Sequence, residues 1–425
     1  MKKRKVYLLG AGATLDWHNA PSTAKITSSL ISSGFKNKEG EYVTKVIYDW
    51  LLRGGKKRTD INFETIINVI EDFIQYWSNP AEEQINGLAY FIKEDDTRWE
   101  KFINYEITKS KHNYSISVPD MGEAFNSRGN LIPNSIQPNA KYFELLLMNI
   151  LDGIVATIAD YSFCTRTNQP VDSEENKEIN DLAINFFNDE NQKSILRIYS
   201  LNYDRLIEFI FFKAGIDIYQ GFSTAEHFPD LEEIAIAEPK KILTERNVNC
   251  IYHLHGNAWW NVETENNNGI DAYSFTLDYG NPGFGFNNGF GSINIEKSKK
   301  LLVSNIITGY QKAQRTSLSP FRQMFSSFDQ DCFEADEILI CGYSFGDEHI
   351  NDILRNAKKY NPEAHIIIVD PSFKDNDFAS DFISHWGAYE NFIYQNANKN
   401  HIYSKQYNVD IYKMTLKDYL EKMVK

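Results

Sequence analysis

Five short, nearly unbroken apolar runs constrain this chain more than any other feature: VYLL from Val6, ILRIY from Ile195, CIYHL from Cys250, ILIC from Ile338 and HIIIV from His365. A strand with one wet face alternates apolar and polar residues. A strand covered on both faces does not, and that is the habit of parallel sheets sandwiched between helices. Helical patterns follow several of these runs, among them YDRLIEFIFFKAG from Tyr203, closed by Gly215, and a helix from about Asp347. A last strand, VDIYKM, leads into TLKDYLEKMVK. The expected fold is therefore α/β, a Rossmann-like doubly wound parallel sheet. In such sheets ligands bind beyond the carboxyl ends of the strands, at the point where the winding reverses.

Between the first run and the second, from about residue 41 to 190, three- and four-residue apolar steps dominate, as in INFETIINVIEDFIQYW and YFELLLMNILDGIVATIADYSF. The expected organisation is a sheet domain over 1–40 and 191–425, its first crossover interrupted by a large, mostly helical insertion over 41–190. Around Lys109 to Ala140 the helical signal fades into Asn, Ser and Pro, which reads as an irregular excursion. The insertion is a candidate surface for a partner or for self-assembly; its plainer reading is a satellite core. The Asn- and Gly-rich NNNG and NPGFGFNNGFGSIN read as long hairpin loops or a flap.

A net charge of −14 is the wrong sign for a phosphate-backbone surface, so direct nucleic-acid binding is not expected. The four cysteines, Cys164, Cys250, Cys332 and Cys341, form no C-x-x-C pair. That gives neither a zinc ribbon nor a disulfide framework, and a reducing cytoplasm is the expected location. MKKRKVYLLGAGAT has the outline of a secretion signal, but cleavage there would remove a strand with its glycine turn. Leu145 to Tyr161 carries Asp152 and Asp160, so it reads as a buried helix rather than a membrane span.

Each strand end carries residues suited to chemistry. Gly10-Ala11-Gly12-Ala13-Thr14 offers a tight turn, backbone N–H groups and a hydroxyl for a pyrophosphate, though a third glycine at the Rossmann spacing is missing. In SLNYD, Asn202 and Asp204 flank Tyr203 at the mouth of a helix, where either could also be a cap. His253 and His255 stand two apart on an expected strand, facing one way. A zinc site would need further ligands, and none is spaced to supply them. The reading is one structural histidine, with His255 beside Gly256 as a base near neutral pH. GYSFG around Ser344 fits a hydrolase nucleophile elbow, with Asp370 and His385 in the formal order of a triad. That reading leaves the other motifs idle. If the turn is instead a nucleotide clamp, with Gly342 in close approach, Ser344 donating and Asp370 accepting from a ribose, one ligand, NAD, uses all of them.

In this order, GAGAT, LNYD, LHG, GYSFGDEHIN and VDP resemble the sirtuin-like NAD-binding family, especially its branch in bacterial antiviral defence. The resemblance covers the first 25 residues and about 195 to 372. It implies that Gly10, Ala11, Gly12 and Thr14 hold the pyrophosphate and that Asn202 and Asp204 line the nicotinamide-ribose pocket. It also implies that His255 is the general base, that Gly342 and Ser344 touch the cofactor, and that Asp370 lies near the adenosine ribose. The four-cysteine zinc module of the deacylating members is absent, and NAWWNVETENNNG stands in its place. Their Gly-Ile-Pro-Asp-Phe-Arg stretch is replaced by HNAPSTAK, which keeps only Pro21.

The expected activity is therefore NAD hydrolysis to nicotinamide and ADP-ribose, with no zinc. Asn202 would orient the ribose and the water, His255 would take a proton, and Asp204 would stabilise positive charge or hold Asn202. The resemblance further implies a homo-oligomer, silent until phage infection, and a HerA-type hexameric ATPase as a partner. The alternatives are a sensor that binds NAD or ADP-ribose without turnover, a serine hydrolase using Ser344, and a deacylase.

Overall fold

The structure, a computed structural model, describes residues 2–78, 101–122, 126, 131–162, 170–224, 234–265, 269–275, 290–296, 299–309, 312–373, 395–398, 400–405 and 408–424. Eight strands form the main sheet: β1 (Lys3–Leu9), β2 (Ser194–Ser200), β3 (Cys250–His253), β4 (Glu337–Cys341), β5 (His365–Val369), β6 (Gln395–Asn398), β7 (His401–Ser404) and β8 (Val409–Tyr412). Their order across the sheet is β6-β7-β8-β5-β4-β1-β2-β3. The six strands from β8 to β3 pair in parallel, and β7 and β6 add an antiparallel edge. From β1 the chain winds outward to β2 and β3, then returns to build β4, β5 and β8 on the other side. The winding therefore reverses between β1 and β4.

Both faces of the sheet are covered at its centre, which is why its central strands carry nearly unbroken apolar runs. Tyr7 and Leu9 of β1, with Leu196, Ile198, Leu339 and Ile367, pack into one core. That core includes side chains from α5 (Lys177–Lys193), α6 (Leu206–Ala214) and α9 (Leu416–Val424). Val6 and Leu8, with Tyr252, Ile340 and Ile368, pack on the opposite face with α7 (Phe321–Glu334) and α8 (Glu348–Tyr360). Gly215 closes α6 in the left-handed conformation, φ 65°.

The segment between β1 and β2 carries α1 (Thr23–Leu30), α2 (Val43–Arg53), α3 (Phe63–Ser78), α4 (Pro138–Ser162) and α5. Ile66, Ile67, Ile70 and Ile74 of α3 and Leu146, Ile150 and Ile154 of α4 belong to the same core as Tyr7 and Leu9. By length and composition α4 could cross a bilayer, but most of its apolar side chains are buried in that core. The excursion expected around Lys109–Ala140 is in part ordered. Glu106–Lys109, Asn113–Ser117 and Ile132–Pro133 form a small antiparallel sheet, whose short strands lie among Asn, Ser and Pro. Trp260–Glu265 and Gly269–Phe275 pair antiparallel across NNNG, a hairpin as expected. NPGFGFNNG, His385 and Cys164 lie outside the described residues.

Candidate active site

A cavity of about 650 Å³ opens at the carboxyl ends of the strands, over the reversal point. All ten predicted residues line it: Gly10, Ala11, Gly12, Thr14, Asn202, Asp204, His255, Gly342, Ser344 and Asp370.

The two glycine turns meet at its floor. Gly10 N–H donates to Cys341 O at 2.9 Å and Gly12 N–H to Gly342 O at 2.8 Å. A Cβ on Gly342, whose φ is 60°, would stand 2.1 Å from the nitrogen of Ala13; one on Gly10 would stand 2.6 Å from Gly342 O. These glycines are required by each other, because two backbones cross without room for side chains. The expectation that Gly10 and Gly12 offer N–H groups to a pyrophosphate is corrected, since both donors are already used. The turn also continues at once into a single 3-10 turn, Ala11–Thr14, where no helix was expected to begin directly. The Thr14 hydroxyl donates to Ala11 O at 3.2 Å, while Ala11 is exposed to the cavity.

Asn202 leaves β2 and reaches back over this floor, its Nδ2 donating to Gly10 O at 3.0 Å. Asp204 does not hold Asn202, contrary to one expected role. Its Oδ2 accepts from the Tyr161 hydroxyl at 2.7 Å and its Oδ1 from Leu206 N–H, the first of α6, at 3.0 Å, so it ties the start of α6 to α4. Burial raises the Asp204 carboxyl above the usual carboxylate range.

The two histidines part company. Strand β3 ends at His253, so the expected shared face does not arise. His253 Nδ1 lies 3.0 Å from Asn202 O and its Nε2 lies 2.6 Å from Glu208 Oε1, a closed structural set. Burial would lower the His253 pKa, but Glu208 raises it overall. His255 sits in the cavity wall with Nε2 buried and without a hydrogen-bond partner among the described residues. Gly256, at φ 81°, does not admit a ligand beside it: a Cβ there would meet Asn305 O at 2.1 Å, so the close neighbour is backbone.

Burial, with the Lys312 ammonium nearby, depresses His255 from 6.5 to about 3, against the opposing pull of Asp347. His255 Nε2 is 3.9 Å from Asp347 Oδ2. Lys312 Nζ lies between Asp347 Oδ1 at 3.1 Å and Glu64 Oε1 at 2.8 Å. The His349 ring centroid stands 6.1 Å from that of His255.

Ser344 is exposed in the turn after β4. The left-handed residues of that turn are Gly342, φ 60°, and Phe345, φ 57°, rather than the serine, and α8 starts only at Glu348. A nucleophile elbow strains the serine itself and leads straight into its helix. No described histidine is hydrogen-bonded to Ser344. Asp370 Oδ1 accepts from Ser372 N–H at 2.7 Å and from its hydroxyl at 2.8 Å.

The sequence reading missed Tyr161, Asn62, Phe63 and Glu64, through which the segment between β1 and β2 lines the cavity, and also Lys312 and Asp347. That segment is thus part of the site's wall. Among these residues only Asp347, next to the GYSFG turn, carried a local signal.

A family model described as a SIR2-like domain matches residues 196–390. A comparison with curated proteins finds no match. Among solved structures, a Sir2 homologue, a histidine-to-asparagine mutant in complex with ADP-ribose, aligns at 10% identity over 100% of this chain and 91% of that one, with a TM-score of 0.35. A second Sir2 homologue–ADP-ribose complex, a serine-to-alanine mutant, aligns at 11% identity over 91% and 92%, with a TM-score of 0.30.

Proposed function

We infer that the protein is an NAD glycohydrolase, which adds water to the nicotinamide–ribose bond and releases nicotinamide, ADP-ribose and a proton. One observation carries this reading: a neutral, buried imidazole with an unpartnered Nε2 lines the same cavity as the glycine crossing and Asn202. The SIR2-like match over 196–390 supports NAD as the ligand. Five carboxyl side chains line the cavity, Asp16, Glu64, Asp204, Asp347 and Asp370, against Lys312 as the one lysine among the described lining residues. That balance suits the cationic nicotinamide end and the oxocarbenium-like ribose that forms as nicotinamide departs with the bonding electrons. The pyrophosphate falls to Ala11 and the Ser344–Gly346 turn rather than to side-chain cations. Asn202 orients the ribose and the water; His255 takes the proton.

The same reading makes the protein a triggered NAD-depleting effector of antiphage defence, acting in the cytoplasm as a homo-oligomer with a HerA-type ATPase as partner. It rests there on the sequence resemblance. The test is release of free nicotinamide from NAD by the purified chain, alone and with that ATPase, beside His255→Ala and Asn202→Ala. Nicotinamide from the wild type alone or in complex, and none from either variant, is expected. Equal release by the variants overturns the assignment.

A second reading, binding of NAD or ADP-ribose without turnover, is favoured by one observation. An imidazole depressed to about 3 is a weak base. Binding of ADP-ribose with no nicotinamide release in any assembly would select it.

A further inference from the structure

Asp347 occupies the N-cap position of α8, where an aspartate ordinarily accepts from the second or third helical N–H. Its side chain makes no such bond. The carboxylate turns instead into the cavity, one oxygen 3.1 Å from Lys312 Nζ and the other 3.9 Å from His255 Nε2. Its backbone is fixed separately: Asp347 N–H donates to the Tyr343 hydroxyl at 3.1 Å, and that hydroxyl lies 3.0 Å from Asn351 Oδ1. The orientation is therefore independent of the cap it forgoes.

Lys312 is held on two sides, by Asp347 and by Glu64 in the first turn of α3. Burial would lower the lysine pKa, yet the two carboxylates raise it, so the ammonium stays charged. Burial likewise opposes ionisation of Asp347, and His255 and Lys312 bring it below the usual carboxylate range. A helix cap sacrificed for a partly buried ion pair facing a cavity differs from a solvated surface bridge.

We propose that Asp347 is the positioning residue of His255, and that Lys312, anchored on Glu64, holds its carboxylate against the imidazole edge. This rests on the reading of His255 as the base. A gap of 3.9 Å is too long for a hydrogen bond but well within reach for a carboxylate to stabilise an imidazolium. As His255 takes a proton, Asp347 compensates the new charge. In the resting site the Lys312 ammonium works the other way and keeps His255 neutral. The charged and titratable groups around the ring are thus Asp347 and His349 from the start of α8, Lys312 from the Lys312–Arg315 turn, and Glu64 behind the lysine from α3.

The test is an NMR titration of the full chain labelled with [13C]histidine, with the His255 signal assigned by His255→Gln. Lys312→Met is expected to move the His255 midpoint upward, toward the ordinary histidine range. Lys312→Arg is expected to leave it in place. Asp347→Asn is expected to push it below the wild-type value and, where NAD is turned over, to cut kcat at least tenfold with little change in KM. Asp347→Glu restores part of that loss. An unmoved midpoint in both Asp347→Asn and Lys312→Met overturns the proposal. If Asp347→Asn fails to fold, the Lys312→Met and Lys312→Arg pair decides alone. The titration needs no turnover, so shifted midpoints without nicotinamide release would overturn the hydrolase assignment and leave this electrostatic pairing standing.

Discussion

Gly12 donates its backbone N–H to the carbonyl of Gly342 at 2.8 Å, across the seam where the winding of the sheet reverses. The two residues are far apart in the chain, and their contact forms the floor of the cavity.

Gly342→Ala should collapse that floor. The added Cβ would lie 2.1 Å from Ala13 N in a left-handed backbone, and backbone cannot step aside as a side chain can. The expected loss is at least about 3 kcal/mol, among the large effects that single substitutions produce. Urea denaturation measures it, and a loss below about 1 kcal/mol would show that the crossing is looser than described.

Tyr161→Phe removes the hydroxyl that α4 offers to Asp204. It should cost about 1–3 kcal/mol, because a buried carboxyl loses a donor. Loss of ligand binding should accompany it, since Tyr161 and Asp204 both line the cavity. Denaturation and ADP-ribose titration calorimetry check the two parts separately.

His255 also predicts a pH dependence. Its folded pKa of about 3 lies below the ordinary 6.5, so the unfolded chain binds the extra proton between those values. Its stabilising contribution is complete above about 6.5 and is lost as pH falls toward 3. His349, lowered mainly by burial, acts in the same direction. His253, raised by Glu208, acts in the opposite one, its contribution being lost as pH rises. His255→Gln should therefore gain stability relative to the wild type at pH 5 compared with pH 7.5. Urea midpoints at the two pH values test the sign.

Asn202→Ala should separate chemistry from folding. Losing the bond to Gly10 O costs about 1 kcal/mol of stability. Nicotinamide release should fall by orders of magnitude. An active variant with the same small stability loss would return Asn202 to a purely structural role.

The sheet was legible because strands buried on both faces must be apolar throughout: Val6–Leu9 and Ile366–Val369 could be read at sight. The candidate site residues were legible because they cluster at strand ends. What they touch was not. Gly10 and Gly342 look like ligand glycines until the crossing shows that each makes room for the other. Glu64 and Lys312 are lone charges in unremarkable sequence, and only the packing of α3 beside the sheet brings them together. Asp347 reads as an ordinary helix cap, and nothing local says that its carboxylate turns away. The strands at Glu106–Lys109 and Asn113–Ser117 escaped notice because a small, partly exposed sheet needs little apolar patterning.

The proposed chemistry requires the cavity to take a dinucleotide with its nicotinamide ribose at His255. A crystal structure of the protein soaked with NAD or ADP-ribose tests this directly. Density is expected to run from the Ala11 turn to His255, with a ribose oxygen or bridging water within hydrogen-bond reach of the ring. A nucleotide bound elsewhere, or a cavity left empty at saturating ligand, would contradict it.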